Sequence, residues 1–187
     1  MSPTEPSIIS DEIHACILVG GLSARMGTDK AELKLGGKSL LEIAKAKLAE
    51  LDLNSSVIRK DIVPRCGPLG GIITGLAQCR AQMILFLPCD MPFVSTNFIR
   101  AVITAASRNS HGACAYHGEL AGFPLVIHAA TETEVVDQHS RKQFSLQKLF
   151  RRLDLARKTP ADPQRELFNI NTEEDYRQAK LLHKQSA

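Results

Sequence analysis

Short apolar runs and amphipathic segments alternate along most of the 187-residue chain. Apolar runs at 15–19, 56–58, 83–87, 113–116 and 123–127 are short enough to be strands, and the first suits a strand buried on both faces. Apolar residues recur at helical spacing in 38–51, 67–79, 96–107, 145–153 and 172–183. This alternation predicts an α/β protein whose mostly parallel sheet is covered by helices on both faces.

Capping and turn residues predict where several of these elements begin and end. Ser95 is predicted to cap the helix 96–107, and Thr172 with Asp175 forms an approximate capping box for the last helix. The turn 117–119 separates two strands, Asp162-Pro163 predicts a loop, and a short strand is predicted at 168–171.

Length and composition predict a single domain over residues 1–187, with 1–11 as a flexible tail. No apolar run approaches the roughly 20 residues that a bilayer requires, and no signal peptide is recognisable, so no membrane partner is expected. A net charge of +3 with 5% aromatic residues does not favour nucleic acid. The five cysteines lack a Cys-x-x-Cys pair and the six histidines are scattered, so no disulfide framework or zinc site is expected and the cytoplasm is the predicted compartment.

A glycine pair follows the first predicted strand. Leu18 and Val19 end the apolar run, and Gly20 and Gly21 then allow backbone N–H groups to approach an anion closely. Arg25 and Lys30 follow within reach of phosphates held by those amides. The spacing matches neither a Walker A loop nor a Gly-x-Gly-x-x-Gly turn. The segment is predicted to bind the phosphates of a nucleotide.

Asp90 stands directly after the apolar run 83–87, between Pro88 and Pro92. Carboxylates of this kind, at the end of a buried strand, are suitable oxygen ligands for Mg²⁺, which also takes phosphate oxygens and water. We therefore predict Asp90 as a metal ligand and catalytic residue. The alternative interpretation is a turn residue that caps the next helix.

Asp61 precedes the segment Gly67-Pro68-Leu69-Gly70-Gly71. A carboxylate can accept two parallel hydrogen bonds from the N1–H and the 2-amino group of guanine, whereas adenine and cytosine offer no such adjacent donors. Asp61, Gly67, Pro68 and Leu69 are therefore candidates for binding a guanine nucleotide. A solvated loop charge remains an equal alternative for Asp61.

Asn169 and Asn171 alternate at the predicted strand end. Alternation would point them to opposite faces, so at most one is expected to face the nucleotide directly. Asn171, nearer the end, is the candidate for supporting metal or phosphate. Turn and cap chemistry is the competing interpretation.

These four segments, in this order, resemble the molybdenum cofactor guanylyltransferases over about His14 to His183. The run Leu18-Val19-Gly20-Gly21-Leu22-Ser23-Ala24-Arg25-Met26-Gly27-Thr28-Asp29-Lys30 and the Pro88-Cys89-Asp90-Met91-Pro92 segment are shared with wider nucleotidyltransferases. Gly67-Pro68-Leu69-Gly70-Gly71 after an aspartate, with the late Asn169-Ile170-Asn171-Thr172, is similar to the molybdopterin branch. The resemblance implies a Rossmann-like three-layer fold of the nucleotidyltransferase type, GTP on the glycine loop, and Mg²⁺ on Asp90.

The implied activity is transfer of GMP from GTP to the terminal phosphate of molybdopterin, with release of pyrophosphate. Catalytic roles would then fall on Arg25, Lys30 and Asp90, and molybdoenzyme maturation proteins are candidate partners. Only residues 52–60 stand where the family usually has a longer strand-and-loop segment, which predicts a more open base pocket. Rival hypotheses are a molybdopterin cytidylyltransferase, a sugar-1-phosphate nucleotidyltransferase, and a non-catalytic nucleotide-binding or cofactor-binding accessory protein.

Overall fold

The computed structural model describes residues 12–19, 29–63 and 65–185. Its main sheet has six strands, with a separate two-stranded hairpin made by β2 (Lys34–Leu35) and β3 (Lys38–Ser39). The six strands are β1 (Ile13–Leu18), β4 (Ser55–Ile58), β5 (Met83–Pro88), β6 (Gly112–His117), β7 (Leu120–His128) and β8 (Ala156–Lys158). The helices are α1 (Leu40–Glu50), α2 (Pro68–Gln78), α3 (Thr96–Ala106), α4 (Glu132–Ser140), α5 (Leu146–Arg152), α6 (Pro163–Glu166) and α7 (Glu173–Lys184).

The strand order in the main sheet is β4-β1-β5-β7-β6-β8. β1 pairs in parallel with β4 and β5, and β6 pairs in parallel with β8. Among these six described strands, β7 alone runs against its neighbours β5 and β6. The predicted mixed, mostly parallel sheet is therefore confirmed, and the carboxyl ends of β1, β4 and β5 lie along one edge, where α/β proteins bind ligands.

Alternate residues of β1 serve the two faces of the sheet, as the pleat requires. Ala15 and Ile17 belong to a buried cluster with side chains of α1 and α3. Cys16 and Leu18 belong to a second cluster with side chains of α2, α4 and α5. Helices thus cover both faces, which gives the three layers that the resemblance implied.

Helix α2 lies unusually close to the sheet because it contains a glycine at the contact. A Cβ atom at Gly75 would come within 2.4 Å of the Phe86 ring and 3.2 Å of Cys16 Sγ. Gly67 precedes the helix with a φ of 57°, a left-handed conformation that favours glycine, and Pro68 occupies the first turn.

Two predictions from the late part of the chain are wrong. The Asp162-Pro163 pair begins helix α6 instead of a loop, because the Asp162 side chain accepts a hydrogen bond from Arg165 N and the proline fits the first turn. Residues 168–171 form no strand, and the backbone N–H of Ile170 donates to the carbonyl of Asp90. Three further elements were not predicted from the sequence: α4, the hairpin β2–β3 and the three-residue edge strand β8.

The remaining predicted elements are confirmed, most of them within three residues of their predicted bounds. Ser95 caps α3 by accepting a hydrogen bond from Phe98 N, and Thr172 with Asp175 forms a reciprocal capping box on α7. Across the described ranges, no helix has the length and apolar character that crossing a membrane would require.

Candidate active site

Asp90 lies immediately beyond the carboxyl end of β5. The N–H of Cys89 donates to the carbonyl of Leu18 at 3.1 Å, which joins this exit to the end of β1. The carbonyl of Asp90 accepts from Ile170 N at 2.9 Å. Because Ser95 caps α3, Asp90 is not the cap of the following helix, and its carboxylate is available for another purpose.

Lys30 is brought to Asp90 from the first part of the chain. Asp29 accepts a hydrogen bond from Ala31 N and so caps a single 3₁₀ turn, Lys30–Glu32. Lys30 Nζ lies 3.5 Å from Asp90 Oδ2 and donates to Asn171 Oδ1 at 3.0 Å. The side chains of Lys30 and Asp90 are each 20% exposed, so the ion pair is only partly hydrated.

Both asparagines of the late motif contact this pair, so the expectation that they would point to opposite faces of a strand is wrong. With its amide nitrogen turned toward Asp90, the orientation that satisfies both groups, Asn169 Nδ2 lies 2.7 Å from Oδ1 and 3.1 Å from Oδ2. Asn171 contacts Lys30 instead. The rule of opposite faces fails because the segment is not a strand.

Burial raises the pKa of Asp90 above its usual range, and the charge of Lys30 only partly opposes this effect. The carboxylate is therefore short of compensating positive charge. Its oxygens, together with Asn171 Oδ1, are hard donors that could hold a small divalent cation. The donor set fits Mg²⁺, because that ion commonly takes only one or two protein carboxylates and completes its shell with phosphate and water.

A lysine of α1 stabilises the turn that contains Asp90 by a hydrogen bond to its backbone. Lys47 Nζ donates to the carbonyl of Pro92 at 2.5 Å, and burial lowers the pKa of Lys47 to about 8. Glu166, whose charge acts on Lys47, accepts hydrogen bonds from the N–H and hydroxyl of Ser95. Lys47 was not predicted from the sequence, because a lysine on the polar face of an amphipathic helix is ordinarily solvated.

Asp61 lies against the first turn of α2. A Cβ atom at Gly70 would come within 2.6 Å of Asp61 Oδ2, and one at Gly71 would be 3.7 Å from Oδ1 and 3.0 Å from the Leu18 side chain. Burial raises the pKa of Asp61. The backbone N–H of the following residue, Ile62, donates to Thr74 Oγ1 in α2. The carboxylate is therefore seated against two helical glycines and is not a freely solvated loop charge.

Leu18 contacts residues that neighbour Asp61 and Asp90. Its side chain approaches Gly71 beside Asp61, and its carbonyl binds the N–H of Cys89, next to Asp90. Leu69 is fully buried in the core, backbone included, whereas Gly67 and Pro68 are exposed.

Gly20, Gly21 and Arg25 lie outside the described residues, which resume at Asp29. Val19 N donates to the carbonyl of Ile58, so the chain leaves β1 beside the end of β4. Arg59, which follows β4, contacts Asp29 at 3.2 Å and Glu32 at 3.8 Å. Arg59 thus holds the turn that presents Lys30, a contact that the local sequence did not predict.

Comparisons with known proteins agree with this architecture. Residues 15–60 and 52–157 match the family described as the MobA-like NTP transferase domain. A structure titled molybdopterin-guanine dinucleotide biosynthesis protein A, from Archaeoglobus fulgidus, superposes with a TM-score of 0.69 at 17% identity, covering 92% of this chain and 99% of that one. A 2-C-methyl-D-erythritol 4-phosphate cytidylyltransferase from Thermus thermophilus gives 0.68 at 18% identity, covering 92% and 99%. Both share the fold.

Relatives in sequence carry one recurring name. A probable molybdenum cofactor guanylyltransferase of Peptoclostridium acidaminophilum is 33% identical over 99 residues, which is 46% of this chain and 45% of that protein. The match therefore spans less than half of that relative's length. A second protein of this name, from Natranaerobius thermophilus, is 28% identical over 199 residues, covering 92% of this chain and 97% of its own. The chain belongs to the family of MobA-like NTP transferase domains.

Proposed function

We propose that this protein transfers GMP from GTP to the terminal phosphate of molybdopterin and releases pyrophosphate. The observation that carries the proposal is the meeting of Lys30, Asp90, Asn169 and Asn171 at the carboxyl edge of the sheet. The names of the relatives supply the substrate pair, because the shared fold alone also accommodates a cytidylyltransferase.

The reaction needs no general base from the protein. A terminal phosphate is already anionic near neutral pH, so one of its oxygens forms a bond to the α-phosphorus while the bond from that phosphorus to the pyrophosphate oxygen breaks. The task of the protein is to align these groups and to neutralise negative charge. Backbone N–H groups around Gly20 and Gly21, which follow Leu18 and Val19 in the chain, would hold the triphosphate. Arg25 and Lys30 would supply positive charge.

Asp90 would hold Mg²⁺, with Asn171 as a further oxygen donor. When bound, the ion would neutralise phosphate charge and help to orient the reacting groups. Asn169 fixes the direction of the Asp90 carboxylate through its amide. Lys30 acts as the counter-ion of Asp90 before substrate enters, and it would turn toward the phosphates afterwards.

Asp61 would select guanine by accepting hydrogen bonds from N1–H and the 2-amino group. Its half-buried carboxylate lies against Gly70 and Gly71 in the first turn of α2, and the chain that leads into this helix is exposed at Gly67 and Pro68. A partly desolvated carboxylate gains more from two donors than a solvated one. The short segment 52–60 would leave the base pocket more open, and the fold shared with a cytidylyltransferase makes cytidyl transfer the second candidate.

The deciding experiment measures pyrophosphate release with GTP, CTP and ATP, each with and without molybdopterin. Release with GTP that depends on both Mg²⁺ and molybdopterin supports the proposal. Release with CTP alone would identify the cytidylyltransferase. Release with a sugar 1-phosphate in place of molybdopterin would favour the sugar nucleotidyltransferase. Nucleotide binding without release in any mixture would leave an accessory protein as the better description.

A further inference from the structure

Three potential metal ligands meet at the end of β1 that is remote from Asp90. His14 and Cys16 are two residues apart on β1, so both point to the face covered by α2. Cys79 follows the last turn of α2, and Ser56 is the β4 residue that pairs with Cys16. Across 12–19, 29–63 and 65–185, no other set of three histidine, cysteine or acidic side chains has such close ligand atoms.

The ligand atoms are close enough to share one ion. A nitrogen of His14 and the sulfurs of Cys16 and Cys79 all lie within 4.8 Å of one another, and the two sulfurs are 3.4 Å apart. A tetrahedral zinc with Zn–S bonds of about 2.3 Å needs sulfurs roughly 3.8 Å apart. Admitting the ion therefore requires the two sulfurs to move apart by a few tenths of an ångström and the imidazole nitrogen to lie about 3.6 Å from each sulfur, a separation within the 4.8 Å limit of this cluster.

We propose that His14, Cys16 and Cys79 bind Zn²⁺, with the fourth position open to a water molecule. Two thiolates and a neutral imidazole balance the double positive charge, so the occupied site carries no net charge into a largely buried place. Each thiol gives up its proton when the ion enters, and two protons are released for each Zn²⁺ bound.

The surroundings favour zinc over a hard cation. Soft sulfur and imidazole ligands select zinc, whereas Mg²⁺ and Ca²⁺ prefer oxygen. The Ser56 hydroxyl is hydrogen-bonded to His14 Nε2 at 3.1 Å and lies 3.7 Å from Cys16 Sγ, so it helps to orient both ligands. Cys79 and His14 are partly exposed, which gives the ion an entry path.

The site joins β1 to the carboxyl end of α2, while the proposed nucleotide site uses the amino end. Eleven helical residues separate the two ends by about 16 Å. The zinc would therefore stabilise the packing of α2 on the sheet and would not take part in nucleotidyl transfer. This role does not depend on the proposed function.

The test is metal titration of the full-length, reduced protein with Co²⁺ and with Zn²⁺. One equivalent of Co²⁺ should give the thiolate-to-cobalt charge-transfer band and the intense visible bands of a tetrahedral ion, and Zn²⁺ should displace both. Zn²⁺ should also raise the Tm. Cys79→Ala and His14→Gln should abolish or strongly weaken the bands, and Cys114→Ala, which removes a buried thiol elsewhere, should keep them.

Unchanged bands in both Cys79→Ala and His14→Gln would overturn the proposal. So would the absence of a charge-transfer band in wild-type protein whose five thiols are all shown to be reduced by titration. Counting thiols under denaturing conditions before and after air exposure adds a second measurement. Loss of two thiols in wild-type protein but not in Cys79→Ala, without metal uptake by the reduced form, would identify Cys16 and Cys79 as a redox pair and not a zinc site. Circular dichroism of each variant checks that it has folded.

Discussion

Lys30 Nζ lies 3.5 Å from Asp90 Oδ2, although the two residues come from different strand ends of the sheet. The lysine is delivered by a turn after β1, and the aspartate follows β5, the parallel neighbour of β1. Asn171 and Asn169 complete the arrangement by contacting one member each. Lys30 and Asp90 are each largely shielded from water and form an ion pair. Substrate phosphates can bind the lysine of this pair, and a metal ion can bind the aspartate.

Replacing Asp90 by asparagine should abolish Mg²⁺-dependent turnover without lowering stability at neutral pH. Burial raises the pKa of Asp90, so the native state holds this proton more tightly than the unfolded state does. The stability that such a group contributes is present at acid pH and is lost as the pH rises through its raised pKa. Asp90→Asn removes the buried charge, and we expect an equal or higher free energy of unfolding in urea at about pH 7, with activity reduced at least about 100-fold.

A variant that turned over normally but unfolded at lower urea would make Asp90 a structural residue. Thr96→Ala is the matched control, because its hydroxyl donates to Glu50 at the end of α1 and not to the Lys30–Asp90 pair. It should retain the activity per folded molecule.

Replacing Lys30 by alanine should lower turnover by about 100-fold or more, because the side chain would stabilise the developing phosphate charge. The fold should persist, since Lys30 is a partly exposed residue of a single turn. Steady-state kinetics with GTP and a thermal melt measure the two effects separately. Lys45→Ala, which removes an exposed lysine from α1, is the control. Equal activity of the two variants would exclude a role for Lys30 in the reaction.

Lys47 should make stability depend on pH in the alkaline range. Burial lowers the pKa of Lys47 to about 8, so between that value and the ordinary lysine value the unfolded state binds more protons than the native state. The contribution of this group to the free energy of unfolding therefore rises as the pH rises through that window. Relative to Lys47→Met, the wild type should gain about 1–3 kcal/mol between about pH 7 and about pH 10.

Urea unfolding of both proteins at each pH measures this gain. The quantity compared is the change in the free energy of unfolding between the two pH values, for the wild type minus that for Lys47→Met. That comparison cancels the cysteine titrations, which the two proteins share. Lys45→Met should behave as wild type, because its side chain is exposed on the same helix. Parallel pH dependences for wild type and Lys47→Met would contradict the prediction.

The layers and most elements followed from the sequence because their causes are local. Apolar runs, the cap at Ser95 and the capping box at Thr172 each depend on residues within one element. The placement of Asp90 at the edge where β1 also ends, with Lys30 later in the segment after β1, could also be predicted, since parallel strands end at one edge. That the two side chains would meet required the turn at Asp29, which a sequence pattern does not specify.

Other features depend on contacts between distant segments. Asn169 and Asn171 both contact the Lys30–Asp90 pair because residues 168–171 form no regular strand. Cys16 and Cys79 are 63 positions apart, so a search for close cysteine spacing could not join them. Lys47 is partly buried where its side chain meets the turn at Pro92. Pairing and packing, more than local preference, determine each of these contacts.

The proposed preference for guanine should depend on both Asp61 and Gly70, the glycine beside it. Asp61→Asn removes one of the two acceptor atoms, and GTP binding should weaken by about 1–3 kcal/mol while CTP binding changes little. Gly70→Ala should reproduce part of that loss, because its Cβ would come within 2.6 Å of Asp61 Oδ2 and 3.1 Å of the Val63 carbonyl, displacing the carboxylate. Calorimetric titration with GTP and CTP measures both variants, and Glu119→Gln, in the exposed β6–β7 turn, is the control. Equal losses for the two nucleotides would mean that Asp61 supports the pocket without selecting the base.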